Sequence, residues 1–260
     1  MSIKSCLLAV TAAAIVTTAV PASAQTQPAA PAPKTAAPRT VEHPWSIDFG
    51  LGWDHSISGN INSGAIGTIN GQATAILPNR YEDAYGTGLY VRFGGGYKLD
   101  SLNEVRVSFT FQSLDADLVQ LGDIGTSKLY AQYDPYKSLT LDVGWRRYVP
   151  NTVQNIRIYA EGDLGLGFIS EIDAQLAAPG SNVTFNATDF YDSTAAFTLS
   201  VHTGILFNVY KQFDLNAQIG LRYMTGLSAP DNIVGTGLED ISNGTRRWTV
   251  PFVIGLSYHF

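Results

Sequence analysis

The stretch Val250–Phe260, VPFVIGLSYHF, stands at the end of the chain and carries the pattern that decides its fold. Successive side chains of a β-strand point to opposite faces, so alternate residues share a face. One alternate set here is small or polar. The other set is large and apolar and, with one preceding residue, consists of Trp248, Val250, Phe252, Ile254, Leu256, Tyr258 and Phe260. This period of two residues predicts a strand with one apolar face.

Eight segments of the 260-residue chain share this alternation and are predicted to be strands. They cover residues 45–54, 88–98, 104–112, 139–146, 156–168, 197–208, 213–223 and 248–260. Three connections are short, at 100–103, 149–155 and 210–212, and four are long, at 58–83, 114–137, 170–193 and 226–245. Residues 44–260 contain no run of about 20 apolar residues, the length that a membrane helix needs. A membrane-spanning structure would therefore have to be a closed barrel of strands.

The apolar set of each strand is predicted to face outward. Five or six large side chains per strand, Trp and Phe among them, exceed the space inside an eight-stranded barrel, which ordinary side chains just fill. A soluble up-and-down barrel would hide its apolar face instead. The glycines, serines and charges of the other set suit the interior. The sequence thus predicts an all-β fold, an eight-stranded antiparallel transmembrane up-and-down β-barrel over residues 44–260.

The four tryptophans belong to the apolar set and lie near strand ends. Trp45 and Trp145 are expected at one rim, and Trp53 and Trp248 at the other. Strand geometry places Trp45 and Trp53 about 26 Å apart, and a tilt of about 40° reduces this to about 20 Å, close to the apolar band of about 25 Å in transmembrane barrels. The spacing predicts two aromatic girdles.

The N-terminal residues predict export. Lys4 precedes an apolar run at 7–20, and Ala22-Ser23-Ala24 follows, so residues 1–24 are expected to be a signal peptide. The sole cysteine, Cys6, precedes the apolar run, which argues against a lipoprotein anchor. Residues 25–43, rich in Ala and Pro, are predicted to be a periplasmic tether that acts as a spacer, with cell-wall attachment as the alternative. Without Lys4, 22 acidic and 15 basic residues give a formal net charge of −7, which disfavours nucleic acid as a partner.

Three segments resemble the eight-stranded outer-membrane β-barrel superfamily, which includes the outer-membrane protein A transmembrane domain, the outer-membrane protein W family and the opacity-type surface proteins. They are 139–149 (LTLDVGWRRYV), 158–168 (IYAEGDLGLGF) and 250–260. The resemblance implies a Gram-negative cell outer membrane, porin-like architecture, and short turns and both termini in the periplasm. It also implies that the barrel-assembly machinery reads the last strand, with Tyr258 and Phe260 as the assembly signal.

The polar set contains charges of both signs, which are expected to form a network in the lumen. Charges in a narrow, poorly solvated interior must pair, and a paired interior is a plug rather than a wide channel. A gated small pore or a proton path is the alternative. The residues are Asp48, Asp54, Arg92, Lys98, Glu104, Arg106, Asp142, Arg146, Arg157, Glu161, Asp163, Asp214 and Arg222.

No catalytic, cofactor or metal site is expected. An enzyme acting on lipid A from this scaffold would place a His, a Ser and a carboxylate on its lipid-facing surface near the outer rim. His202 belongs instead to the inward set with Ser200. The acidic residues of the long connections lack calcium-loop spacing.

Three function classes remain, in this order of preference: a structural or surface-interaction role carried by four extracellular loops, a narrow channel for small solutes or small apolar molecules as in the outer-membrane protein W family, and a lipid A-modifying enzyme. Arg246 and Arg247 are candidates for contact with lipopolysaccharide phosphates at the outer rim. The expected partners are outer-membrane lipids and lipopolysaccharide, the assembly machinery, and unnamed host or cell-surface ligands. The first long connection leaves two alternatives, because Ile61, Ile66, Ile69, Ile76 and Leu77 either line a hydrophobic mouth or fold over the barrel.

Overall fold

A computed structural model describes residues 43–69, 71–150, 155–179, 183–228, 241, 242, 244 and 246–260, with the backbone alone for residues 183–189. The predicted signal peptide and all but the last residue of the predicted tether lie outside the described residues. No helix among the described residues is long and apolar enough to span a membrane.

The described residues form one short helix and sixteen strands. In chain order they are β1 (Trp45–Ser58), β2 (Asn60–Asn62), β3 (Ala65–Ile69), β4 (Gln72–Ile76), β5 (Asn79–Arg80), α1 (Tyr81–Ala84), β6 (Thr87–Lys98), β7 (Asn103–Leu114), β8 (Leu118–Ile124), β9 (Ser127–Tyr133), β10 (Tyr136–Tyr148), β11 (Ile156–Ile169), β12 (Ile172–Ala178), β13 (Val183–Tyr191), β14 (Thr194–Tyr210), β15 (Phe213–Met224) and β16 (Arg247–His259).

Eight of these strands close into a barrel, in the order β1-β16-β15-β14-β11-β10-β7-β6. Every neighbouring pair is antiparallel. The first and last strands close the ring, in a register that runs from Ser46 opposite His259 to Ser58 opposite Trp248. The eight predicted strands and the up-and-down topology are confirmed.

The alternation of the sequence becomes an alternation of exposure. On β1, Phe49 is 49% exposed and faces outward, whereas its neighbour Asp48 is 8% exposed and faces the lumen. The same division holds along the other barrel strands, so the outside carries a continuous belt of apolar side chains. Contiguous apolar surface of this extent is not left bare to water on a soluble monomer, and it matches the lipid-facing band of a transmembrane barrel. The predicted outward direction of the apolar set is confirmed.

The long connections contain eight strands that the alternation did not predict. Six of them form a second antiparallel sheet, in the order β13-β12-β9-β8-β4-β3, and β2 pairs with β5. We call the described residues within 59–86, 115–135, 170–193 and 225–246 the cap. The three short connections, both described chain ends and the girdle member Trp45 lie at the opposite end of the barrel, which we call the short-turn end.

The cap has its own apolar core. Its strands bury Ile76, Leu121, Leu129 and Tyr133, and α1 adds Tyr81 and Ala84. This core continues without interruption onto the inward-facing outer ends of barrel strands, through Leu114, Tyr136, Ile169, Ala196 and Met224. The outer end of the lumen is therefore filled by packed side chains.

The first long connection folds over the barrel. Ile61 and Ile76 are buried in the cap core, and Ile69 packs against it. Ile66 and Leu77 lie on the outside of the cap, where they are 85% and 58% exposed.

Candidate functional site

Glu161 lies at the centre of the lumen and contacts three arginines. It points inward from β11 and is almost fully buried. Arg92 Nη2 donates to Glu161 Oε1 at 2.5 Å, and Arg146 Nε donates to Oε2 at 2.6 Å. Arg106 Nε lies 3.5 Å from the same Oε2. One carboxylate thus joins strands β6, β7 and β10 to β11.

Arg106 extends this cluster toward the short-turn end. Its Nη1 donates to Glu104 Oε1 at 2.8 Å, and its Nη2 donates to Asp48 Oδ1. Glu104 also accepts hydrogen bonds from Ser46 Oγ, at 2.8 Å, and from the Tyr148 hydroxyl. Both carboxylate oxygens of Glu104 therefore accept hydrogen bonds.

Asp163 links the cluster to the lumen histidine. Its Oδ1 lies 3.6 Å from Arg92 Nη2, and its Oδ2 lies 3.3 Å from His202 Nε2. His202 is buried on the inner side of β14, as the sequence predicts, and so has no access to the lipid-facing surface. The cluster from Asp48 to His202 draws on six of the eight barrel strands. Cross-links of this kind obstruct the lumen.

A separate polar group closes the short-turn end. Asp214 accepts hydrogen bonds from Arg157 Nη2 and from Asn208 Nδ2, the latter at 2.9 Å, and its Oδ2 lies 2.8 Å from His259 Nε2. Lys98 Nζ donates to the His43 carbonyl oxygen at 3.4 Å. The sequence analysis placed Arg157, Asp214 and Lys98 in the lumen network. His259 belongs to the small or polar set of the last strand, but its place in this group was not predicted.

Three expected members of the network bind neutral groups at the outer end. Arg222 Nη2 donates to Thr140 Oγ1 at 2.5 Å. Asp142 accepts from Thr198 Oγ1 at 3.0 Å, and Asp54 accepts from Gln112 Nε2 at 2.5 Å. Within the described ranges, no ion pair of 4.0 Å or less joins Arg222 to either carboxylate. Arg222, Asp142 and Asp54 therefore do not join the ion pairs of the central cluster.

The tryptophans point outward at both rims. Trp45 packs against Tyr97, with ring centres 4.7 Å apart, near the short-turn end. Trp145 lies near the same end, three residues before β10 finishes. Toward the cap, Trp53 stacks on Phe252 at 4.7 Å and Trp248 packs against Tyr223 at 5.0 Å. Tyr97 and Tyr223 therefore add to the two predicted aromatic girdles, for which the sequence analysis considered only the tryptophans.

The last residues are held by the first strand. Phe260 N donates to Trp45 O at 3.0 Å, and Trp45 N donates to Phe260 O at 3.2 Å. The Tyr258 ring stacks on Phe260 at 6.0 Å and lies 4.8 Å from Phe213. The role of Tyr258 and Phe260 as an assembly signal stays a prediction.

Arg247 does not face lipid headgroups, and that part of the sequence analysis is wrong. The side chain points into the barrel and is 2% exposed, because Arg247 shares the inward register of Thr249. Its Nε donates to Ser56 Oγ at 3.0 Å, and its Cζ lies 4.5 Å from the centre of the Tyr136 ring. Arg246 is exposed at the outer rim, where it lines a cleft of about 560 Å³ with Ser58, Gly59, Asn60 and Trp248.

The cap buries a set of tyrosines that sequence reasoning missed. Tyr85 packs against Tyr81, Tyr133 and Tyr136, with ring centres 6.0 to 6.4 Å apart. Burial raises the pKa of Tyr81, Tyr85, Tyr133 and Tyr191 above the usual value, because the charged phenolate would lose its water. The recurrence of Tyr where barrel strands meet the long connections is the sequence feature that could have predicted this buried cluster.

Comparison with known proteins adds little beyond the fold. No family model matches the chain, and no curated protein matches it. Among solved structures, Neisserial surface protein A is 12% identical, with a TM-score of 0.45, over 83% of this chain and 97% of its own. A major outer membrane protein from Thermus thermophilus is 14% identical, with a TM-score of 0.44, over 82% and 99%. The outer membrane protein OprG from Pseudomonas aeruginosa is 13% identical, with a TM-score of 0.42, over 84% and 97%.

At these identities and scores the likenesses carry no argument about function. The chain's own eight-stranded closed ring, antiparallel order and outward apolar belt confirm the predicted fold class, an eight-stranded antiparallel up-and-down β-barrel.

Proposed function

We propose that this chain is an integral outer-membrane protein that holds its cap outside the cell as a rigid surface for interaction with other molecules. The observation that carries the proposal is the second sheet, whose six strands share a buried core. Loops that served only as connections would not need such a core. A surface that is ordered before binding avoids the entropy cost of ordering loops on contact.

The outside of the cap supplies surface for a partner. Ile66 and Leu118 are 85% and 65% exposed, and each lies on a cap strand whose other face packs against the cap core. Exposed apolar side chains on an ordered surface give a partner apolar area to bury on association. The partner belongs to the class of host or cell-surface molecules.

The proposal includes no enzymatic activity and no solute path. His202 lies inside the barrel, away from lipid, and the charged cluster around Glu161 crosses the lumen. Below the cap, charges bound to one another fill the space that an aqueous channel would need.

The proposed orientation rests on the same arrangement. The cap faces the exterior, and the short-turn end, with both chain ends, faces the periplasm, where the assembly machinery acts on the strand that ends at Phe260. At the outer rim, the Arg246 cleft includes the predicted girdle residue Trp248, and we expect this cleft to meet lipopolysaccharide phosphates. Arginine suits phosphate recognition because its guanidinium donates several hydrogen bonds in one plane.

Cysteine labelling on intact cells tests the orientation. Cys6 lies in the predicted signal peptide, so an introduced cysteine would be the only thiol of the exported chain. A membrane-impermeant maleimide should label Ile66→Cys on intact cells and should label Ser101→Cys, in a short turn, only after the outer membrane is permeabilised. Labelling of Ser101→Cys alone on intact cells would reverse the proposed orientation.

Attachment of expressing cells to a panel of immobilised extracellular-matrix proteins tests the interaction role. We expect expression to increase attachment to at least one surface, and the double variant Ile66→Ser, Leu118→Ser to lose most of that gain. Val209→Ser, an equally apolar exposed position at the short-turn end, is the matched control and should keep it. Attachment equal to that of cells with an empty vector on every surface would contradict the proposal.

A further inference from the structure

The middle of the lumen contains a small cavity beside the central charge cluster. Strands β1, β6, β15 and β16 surround it, and the centre of a water molecule has about 10 Å³ of space within it. Space of about this size is the minimum that holds one buried water molecule. The residues that line the cavity include Asp48, Arg92, Asn216, Gln218 and Val253.

Two hydrogen-bond donors on these lining residues lack acceptors within the described part of the chain. They are Arg92 Nε and Gln218 Nε2, on residues that are 4% and 3% exposed. Contacts of Gln218 Oε1 fix the orientation of the amide, because this oxygen accepts from the Tyr159 hydroxyl at 2.9 Å and from Arg92 Nη1 at 3.4 Å. A buried donor without an acceptor is costly, and native proteins satisfy nearly all of them with protein groups or water.

The chemistry of the lining indicates what these donors bind. Both unpartnered atoms carry N–H groups, which repel a metal cation. The Asp48 carboxylate on the same lining repels an anion. A carboxylate accepts several hydrogen bonds, so Asp48 can accept another beside the one from Arg106. Water fits this mixed lining, because it accepts and donates and makes about three hydrogen bonds when buried.

We propose that this cavity binds one structural water molecule, which accepts hydrogen bonds from Arg92 Nε and Gln218 Nε2 and donates one to Asp48. The water joins β6 and β15 to β1 across the lumen, a link that the backbone ladder between neighbouring strands does not provide. The cavity has room for one water molecule, so the site adds to the closure of the lumen. This proposal does not depend on what the cap binds.

Magnetisation transfer from water to the Gln218 side-chain amide tests the proposal. In NMR spectra of the full folded chain in detergent micelles, we expect a nuclear Overhauser peak between the Gln218 Nε2 protons and a long-lived water molecule. Gln112 is the internal control, because its Nε2 donates to Asp54 Oδ2 at 2.5 Å and the space that it lines has no room for water. Its amide should give no such peak. Absence of the Gln218 peak would overturn the proposal.

Variants separate a bound water molecule from other sources of the signal. Val253→Ile adds a methyl group to the lining and should abolish the Gln218 peak, whereas Val143→Ile, the same change on the lipid-facing side, should retain it. Tyr159→Phe should also retain the peak, and its loss there would assign the signal to the exchanging hydroxyl proton and overturn the proposal. An undiminished peak in Val253→Ile would overturn it as well. Should Val253→Ile fail to fold, the comparison of Gln218 with Gln112 in the unaltered chain decides.

Discussion

Glu161 balances more positive charge than any other carboxylate in the central cluster. Arg92, Arg106 and Arg146 all lie within 3.5 Å of its oxygens, and all four side chains are nearly fully buried. Burying charges costs solvation energy that their mutual attraction returns only when geometry is good. Loss of this single carboxylate would leave three guanidinium groups with insufficient negative charge.

Glu161→Gln should therefore lower the free energy of unfolding by about 3–5 kcal/mol, the usual cost of breaking a buried pair. Urea unfolding in lipid vesicles, followed by tryptophan fluorescence, measures it. Arg157→Gln is the control, because Arg157 is paired with Asp214 but has a side chain that is 37% exposed. Arg157→Gln should lower the free energy of unfolding distinctly less than Glu161→Gln. Equal losses in the two variants would show that the central cluster contributes no more to stability than a partly exposed ion pair.

Asp100 organises the turn between β6 and β7. Hydrogen bonds from the Asn103 side chain, and from the backbone N–H groups of Leu102 and Asn103, hold the pKa of its carboxyl below the usual range. A carboxyl whose pKa is lower in the folded state stabilises it above the unfolded pKa of about 3.9. That contribution disappears as the pH falls through the lower, folded pKa.

Asp100→Ala should consequently destabilise the barrel at neutral pH, and the difference from the unaltered chain should vanish in strong acid. The unfolding free energies of both proteins across this pH range give the result. Ser101→Ala, in the same turn, should show no such pH dependence. A penalty for Asp100→Ala that is independent of pH would show that the carboxylate charge is irrelevant to the turn.

Alternation along a strand predicts which side of the wall a side chain occupies, but not its partner. Arg92 was assignable to the lumen from its neighbours, yet its contact with Glu161 depends on how β6, β7, β10 and β11 register against each other. For Arg247, by contrast, the alternation alone was sufficient to predict its position. Counting back by two from Thr249 places it inside, and that step would have separated it from Arg246.

At the scale of elements, the cap strands escaped prediction because their alternation is short and broken. In β8, LVQLGDI, the buried residues are Val119, Leu121, Gly122 and Ile124, and their spacing changes where the register shifts between Gln120 and Gly122. The barrel strands keep one parity over 12 to 17 residues. A sheet whose strands have only a few residues each is specified by contacts between connections far apart in sequence.

Leu129 and Leu118 allow a matched test of the cap core. They lie on adjacent paired strands, β9 and β8, with exposures of 0% and 65%. Leu129→Ala should cost about 2–5 kcal/mol, because it removes buried contacts and leaves a cavity, whereas an exposed Leu→Ala change should be nearly neutral.

Limited proteolysis on intact cells should cut Leu129→Ala within the cap much faster than Leu118→Ala, while the barrel remains folded. Equal cleavage rates would mean that the cap has no cooperative core, and the proposed rigid surface would lose its basis.

At the scale of the molecule, the barrel depends on closure between β1 and β16. The backbones approach closely at Gly52, where a Cβ atom would overlap the Phe252 carbonyl group. Backbone atoms in a closed ring cannot move aside without disturbing both neighbours. The sequence located both strands but could not reveal this contact, which depends on the curvature of the ring.

Gly52→Ala should therefore lower stability by about 1–3 kcal/mol, the usual cost of overpacking, and should reduce the yield of folded barrel. Gly162→Ala is the matched control, since the nearest atom to its new methyl group would be the Ser200 carbonyl oxygen at 4.0 Å. The heat-dependent shift of the folded band in gel electrophoresis measures the yield. Similar yields of folded barrel for the two variants would contradict the close approach of the β1 and β16 backbones at Gly52.

Single-channel recording of the folded chain in a planar lipid bilayer tests the central claim, a barrel closed by its charge cluster and its cap. A heat-denatured sample is the blank, and the heat-dependent gel shift shows that the inserted protein is folded. The account predicts no discrete current steps. Reproducible steps whose size changes in Arg92→Gln or Arg222→Gln would contradict it and would make this protein a narrow channel.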